Sequence, residues 1–161
     1  MKEISIELSS VFAVSDCSVL SLITRHAAGL ETLTLRSYDV SFVGNFQGRF
    51  GDLEGVRRRL SKVRSRGSLL KMVQTRSLRK IRLSNLVVET EDLARLLRAN
   101  ALTLHKLWMR SVIVCGEAGI LESFRRSDFP GLDTSIKFWG LKNFTDKALV
   151  PWNPLAAWNR T

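Results

Sequence analysis

The chain has 161 residues, 45% of them hydrophobic and 25% charged, with 25 Lys or Arg against 15 Asp or Glu and a net charge of +10. That length and balance fit one globular domain with its own core and exclude a disordered chain; no apolar run reaches the roughly 18 to 20 residues a membrane-spanning helix needs. The charge is concentrated: from Phe46 to Arg82 twelve Lys or Arg face only Asp52 and Glu54, whereas the rest carries thirteen of each sign.

The N-terminus, Met1-Lys2-Glu3-Ile4-Ser5-Ile6-Glu7, alternates charged and apolar groups and lacks the continuous apolar stretch of a signal peptide. An intracellular protein, cytoplasmic or nuclear, is the expectation. Ile6 and Leu8 alternate with polar residues and predict a first strand. Asp16, followed by Val19, Leu22 and Ile23 on one helical face, predicts a capped helix. Leu30-Glu31-Thr32-Leu33-Thr34-Leu35 then predicts a second strand with the pattern L-x-x-L-x-L. The same order returns later. Ile81 and Leu83 lead to Thr90 as a cap, to Leu93, Leu96 and Leu97 on one face, and to Leu104-His105-Lys106-Leu107-Trp108-Met109. Leu78-Arg79-Lys80-Ile81-Arg82-Leu83 is a further copy of the strand pattern, and Leu132…Ile136-Lys137-Phe138 a degenerate one.

Leu8 to Leu35 spans 27 residues, Leu83 to Met109 spans 26, and Met109 to Phe138 spans 29. These steps lie at the upper end of the roughly 20 to 29 residues of leucine-rich repeats. A unit of this kind cannot bury its apolar face alone, so units stack into a parallel sheet lined by helices. The expected fold is therefore α/β: a short leucine-rich-repeat solenoid, with parallel strands on the concave face, helices on the convex face and an irregular C-terminal cap.

The single domain divides into repeats over residues 1–40, a basic insertion at 41–67, repeats again at 68–145, and a cap or tail at 146–161. Within the insertion, Leu53, Val56, Leu60 and Val63 have helical spacing, with Asp52 as a candidate cap and Gly67-Ser68 as a stop. Arg57, Arg58, Arg59, Lys62, Arg64 and Arg66 decorate the remaining faces as a basic patch. The tail, with Pro151, Trp152, Pro154 and Trp158, suits a segment laid over the last repeat; the alternative is a docking motif. The first strand has no such cover. Either something pairs with that edge, or the chain lacks preceding repeats.

From Leu78 through Val88, Asp92 to Arg98 and Thr103 to Leu107, the sequence resembles the divergent leucine-rich repeats of fungal F-box-type proteins, which are similar to the ribonuclease-inhibitor-like class. The resemblance implies a repeat region that recruits a substrate protein to a ubiquitin-ligase scaffold. No F-box-like helical segment accompanies it, so only the recognition half carries over.

Catalytic chemistry is not expected. His26 and His105 stand apart from any Cys, Ser or Asp at triad or metal spacing, and Cys17 and Cys115 read as two buried free thiols. Gly116-Glu117-Ala118-Gly119 lacks the Lys-Ser/Thr of a phosphate loop. No cofactor and no metal are implied.

The strand registers predict a binding surface instead. One row across the concave face is Glu7, Thr34, Arg82, Trp108, Lys137; the next is Ser9, Arg36, Ser84, Arg110, Trp139; a third is Ser5, Thr32, Lys80, Lys106, Ser135. The residues that would contact a partner are thus Arg36, Lys80, Arg82, Lys106, Trp108, Arg110, Lys137 and Trp139. Trp and Arg dominate binding hot spots because each joins a large contact area to directional polar groups. An acidic protein segment is the expected partner. Nucleic acid or an anionic membrane surface, held by the basic insertion helix, is the alternative.

Overall fold

The computed structural model describes residues 2–8, 24–26, 29–37, 53–65, 69–132 and 136–159. In chain order the strands are β1 (Glu3–Leu8), β2 (Thr32–Ser37), β3 (Lys80–Ser84), β4 (Val87–Glu89), β5 (Lys106–Arg110), β6 (Ile113–Cys115), β7 (Ile136–Trp139), β8 (Lys142–Phe144) and β9 (Leu149–Pro151). The helices are α1 (Leu53–Ser65), α2 (Thr90–Ala99), α3 (Gly119–Glu122) and α4 (Leu155–Trp158), with 3-10 turns at Leu69–Met72 and Arg126–Asp128.

The result is a mixed α/β architecture built on a five-stranded parallel sheet in the order β1-β2-β3-β5-β7. Alternation decides which side of that sheet is the core. Ile81 and Leu83 of β3, and Leu107 and Met109 of β5, point inward and are at most 1% exposed, while Lys80 and Arg82 between them face solvent. Leu33 aligns with Ile81 and Leu107, and Leu35 with Leu83 and Met109. The apolar side chains therefore form continuous rows through the sheet. Burial of each removes apolar area from water at about 25 cal/mol per Å².

Helix α2 packs Leu93, Ala94, Leu96 and Leu97 into this core. Glu91 and Asp92 in its first turn and Arg98 in its last complement the helix dipole. Thr90 is the first helical residue rather than the cap, a position held by Glu89 without a side-chain hydrogen bond. At the other end Asn100, 1% exposed, replaces the missing helical partners: its Nδ2 donates to the Leu96 carbonyl at 2.9 Å and its Oδ1 accepts from Leu78 N–H at 2.9 Å. Successive units are tied by a repeated bond. Ser77 Oγ donates to the Leu30 carbonyl at 2.7 Å, and Thr103 Oγ1, one unit later, donates to Leu78 at 2.8 Å.

Three features depart from the expectations. First, β1 is paired two residues away from the predicted register: Ile4 aligns with Leu33, Ile6 with Leu35 and Glu7 with Arg36. A two-residue slip leaves every side chain on its original face, so alternation cannot detect it. The rows begin with Ser5 beside Thr34, and with Glu7 rather than Ser9 beside Arg36.

Second, each of β3, β5 and β7 is followed by a left-handed residue, Asn85 (φ 54°), Ser111 (φ 52°) or Gly140 (φ 62°), which turns the chain into another short strand. Those three strands and β9 of the tail form a second sheet, β4-β6-β8-β9, parallel except for the β8–β9 pair. Strands of three residues are too short to display a period in sequence. Asn143, 7% exposed, binds this sheet together through Nδ2 bonds to the Val114 (3.0 Å) and Gly116 (2.9 Å) carbonyls.

Third, the C-terminal tail is regular rather than irregular. β9 pairs with β8, and α4 inserts Trp158, 2% exposed, among Phe124, Phe129 and Phe138 at centroid separations of 6.1, 5.5 and 5.7 Å. Trp158 Nε1 donates to the Leu121 carbonyl at 2.7 Å, and Trp152 Nε1 to Glu122 Oε1 at 3.2 Å. Both indoles are consumed by packing. Neither is available as a docking motif.

Helix α1 forms at the predicted Leu53, and its Leu60 is fully buried. Residues 41–52 and 66–67 of the insertion lie outside the described residues, as do the predicted cap Asp52, the stop Gly67-Ser68 and most of the first repeat helix. Among the described residues, no helix is long and apolar enough to cross a membrane.

Candidate functional site

The outer face of the five-stranded sheet gathers all eight residues expected to contact a partner. Arg82, Trp108 and Lys137 share one row; Arg36, Arg110 and Trp139 share the next, with Ser84; Lys80 and Lys106 stand together in a third. Strand order makes the charge uneven. The outward positions of β3, β5 and β7 hold five cations and no acid, whereas those of β1 are Glu3, Ser5 and Glu7. Arg36 on β2 stands opposite Glu7. Among the described residues of this sheet face, the excess of positive charge therefore lies toward β7.

Trp108 is held at the centre of this field. The Arg82 guanidinium lies 3.9 Å from the indole centroid and the Lys137 ammonium 5.1 Å, reaching from the strands on either side. Each cation–π contact is worth about 0.5–1 kcal/mol at an exposed site. The stack half-buries the ring and leaves Nε1 buried without a hydrogen-bond partner. Such an unmet donor costs about 1–3 kcal/mol. An acceptor delivered by a partner would recover part of it. Trp139, 76% exposed, projects into solvent beyond Arg110.

The tertiary structure adds a groove of about 710 Å³ at the β7 end of this face. Arg82, Trp108, Arg110, Lys137 and Trp139 line its polar side. Ile136, Phe138 and Leu155 of α4 line its apolar side. Leu83, Ser84 and Met109 of β3 and β5 complete the lining, and among the described residues β7 is the last strand of the five-stranded sheet. Ile136 and Phe138 remain half-buried although their counterparts in β3 and β5 are fully enclosed. Leu155 was not foreseen as part of the site. Its signal in sequence is no more than a Leu after Pro154, 47 residues from Trp108.

The basic helix lies elsewhere, against β4 of the second sheet. Arg64 grips Glu89 at both ends of its guanidinium, with Nε–Oε1 at 2.6 Å and the second bond at 3.1 Å. That bond raises the Arg64 pKa against the opposing effect of burial. Arg57 lies 3.8 Å from Glu54. Arg57 and Arg64 of the predicted patch thus have acidic partners within the chain; Arg58 and Lys62 are exposed at the surface. Arg66 and the side chain of Arg59 lie outside the described residues.

His26 and His105 are both exposed, and His105 Nδ1 is engaged by the Thr103 carbonyl at 2.6 Å. Cys115 is buried and unpaired, and burial pushes its thiol up to about 12, out of the range of a reactive thiolate. Cys17 lies outside the described residues. Among the described residues, no cluster of three His, Cys, Asp or Glu side chains could hold a metal ion. No protein-family model matches the chain, and neither a curated protein nor a solved structure shows significant similarity to it.

Proposed function

We propose that this protein is a non-catalytic recognition module of the leucine-rich-repeat solenoid type, binding an acidic segment of another protein on the concave, five-stranded face. One observation carries the reading: five cations without an acid on β3, β5 and β7, surrounding the Arg82–Trp108–Lys137 stack. Charge steers the acidic partner to this face, and the aromatic groups supply the desolvated contact area that fixes it. In a cell the module would serve as the substrate-recognition part of an F-box-like adapter, the role suggested by its sequence resemblance.

Nucleic acid is the less favoured ligand. Arg82 and Lys137 occupy the faces of Trp108 that a base would need for stacking, and Arg64 of the basic helix is committed to Glu89. The test is affinity purification from nuclease-treated extract with wild type, Trp108→Ala/Arg110→Glu, and Arg57→Glu/Arg58→Glu/Arg59→Glu. A discrete protein retained by the helix variant and lost by the sheet variant is expected. Recovery of nucleic acid alone, abolished by the helix reversal and steeply weakened by salt, would refute the reading.

A further inference from the structure

Among the described residues β7 is the edge strand of the five-stranded sheet, and the groove lies beside it, a placement that restricts what can fill it. A strand at a sheet edge presents unpaired backbone N–H and C=O groups, which an extended peptide can satisfy by adding a strand. The Trp139 carbonyl accepts from Ser111 N–H at 2.8 Å, so Trp139 points its backbone toward the β5 side. Backbone groups alternate in direction along a strand, so those of Phe138 point to the open edge. Any strand added there continues both faces of the sheet. Side chains on its outer face would meet Lys137 and Trp139; those on its inner face would meet Ile136, Phe138 and Leu155.

Resting on the acidic-partner reading above, we infer that β7 receives the partner as a sixth strand whose residues alternate acidic and apolar. The outer carboxylates pair with Lys137, with Trp139 beside them, and drawing Lys137 toward them releases one face of Trp108. The inner apolar side chains complete the burial of Ile136 and Phe138, which the chain's own tail leaves half-covered. The same alternation occurs in this protein's β1, where Glu3 and Glu7 face outward and Ile4 faces inward, so the required pattern is one that a parallel sheet of this kind accommodates.

The experiment is selection of a displayed library of random ten-residue peptides on the full chain, followed by synthesis of an enriched peptide with N-methyl groups on alternate amides in either phase. Enrichment of alternating Asp/Glu and apolar residues is expected. Methylation in one phase should weaken binding about tenfold or more, because several backbone bonds are lost together, while the other phase should change it less than about twofold. Binding also shifts Trp108 fluorescence, a signal absent from Trp108→Phe. Enriched peptides that are acidic without alternation, or that tolerate methylation in both phases, would overturn strand addition while leaving the acidic-partner reading intact. Failure to enrich any peptide, or equal enrichment on Arg82→Glu/Arg110→Glu/Lys137→Glu, would overturn both. Self-association abolished by Glu3→Lys/Glu7→Lys would replace the peptide with a second copy.

Discussion

Trp158 is the sharpest test of how the β7 end of the core is closed. The side chain is 2% exposed and stacks on Phe129 at 28° between ring planes, with Phe124 and Phe138 meeting it edge-on. A buried indole removes about 150–250 Å² from water, equivalent to about 4–6 kcal/mol at 25 cal/mol per Å². Its hydrogen bond to the Leu121 carbonyl adds about 1 kcal/mol net. Relaxation around the cavity lowers such sums, and Trp→Ala changes in cores cost about 3–5 kcal/mol. Trp158→Ala should therefore destabilise by about 4 kcal/mol, a large share of the roughly 5–15 kcal/mol available to a domain. Trp158→Phe keeps the stack and removes one of two donors to the Leu121 carbonyl, which retains the Phe124 N–H at 3.3 Å, so it should cost about 1 kcal/mol. Urea unfolding followed by circular dichroism measures both without relying on the fluorophore removed. A cost below about 1 kcal/mol for the alanine variant would refute the packing account. Equal costs for alanine and phenylalanine would refute the division between ring and hydrogen bond.

Asn100→Ala should lose about 2–3 kcal/mol in the same assay, because it strands the buried Leu78 N–H and the Leu96 carbonyl together. Gly116→Ala should destabilise by about 2 kcal/mol or more: φ is +111°, and the added methyl would lie 2.8 Å from Thr90 Oγ1. Ser111→Gly, at φ 52°, should be neutral to stabilising by up to about 1 kcal/mol in thermal unfolding, whereas Ser111→Val should destabilise. Cys115 makes stability fall with alkaline pH. Both states are protonated below pH 9; above it the unfolded thiol ionises while the buried one, raised mainly by desolvation and then by Glu89, holds its proton up to about 12. The loss approaches about 1.4 kcal/mol per pH unit across that window, so wild type should fall more steeply than Cys115→Ala between pH 9 and 11.

Sequence periodicity alone was sufficient to locate the strands at Leu33/Leu35, Ile81/Leu83 and Leu107/Met109, helix α2, and the basic helix α1. Each carries its period over enough residues to be read; the strands and α2 bury the face that the period marks, and α1 buries Leu60 of its own. Alternation likewise assigned Arg82, Trp108, Arg110 and Lys137 to one exposed surface, because a side chain's face is set by its place in its own strand. The pairing of β1 was not legible, since Ile4, Ile6 and Leu8 offer equivalent partners at every second position. Nor was the second sheet, whose strands are three residues long and depend on the left-handed turns at Asn85, Ser111 and Gly140. The groove was hidden for a different reason. It exists because α4, far away in sequence, packs Trp158 under β7 and sets Leu155 beside that strand. Local sequence determines what each element exposes and what it must bury. Which edge is left open, and which distant side chain stands beside it, is settled when elements compete for the same core.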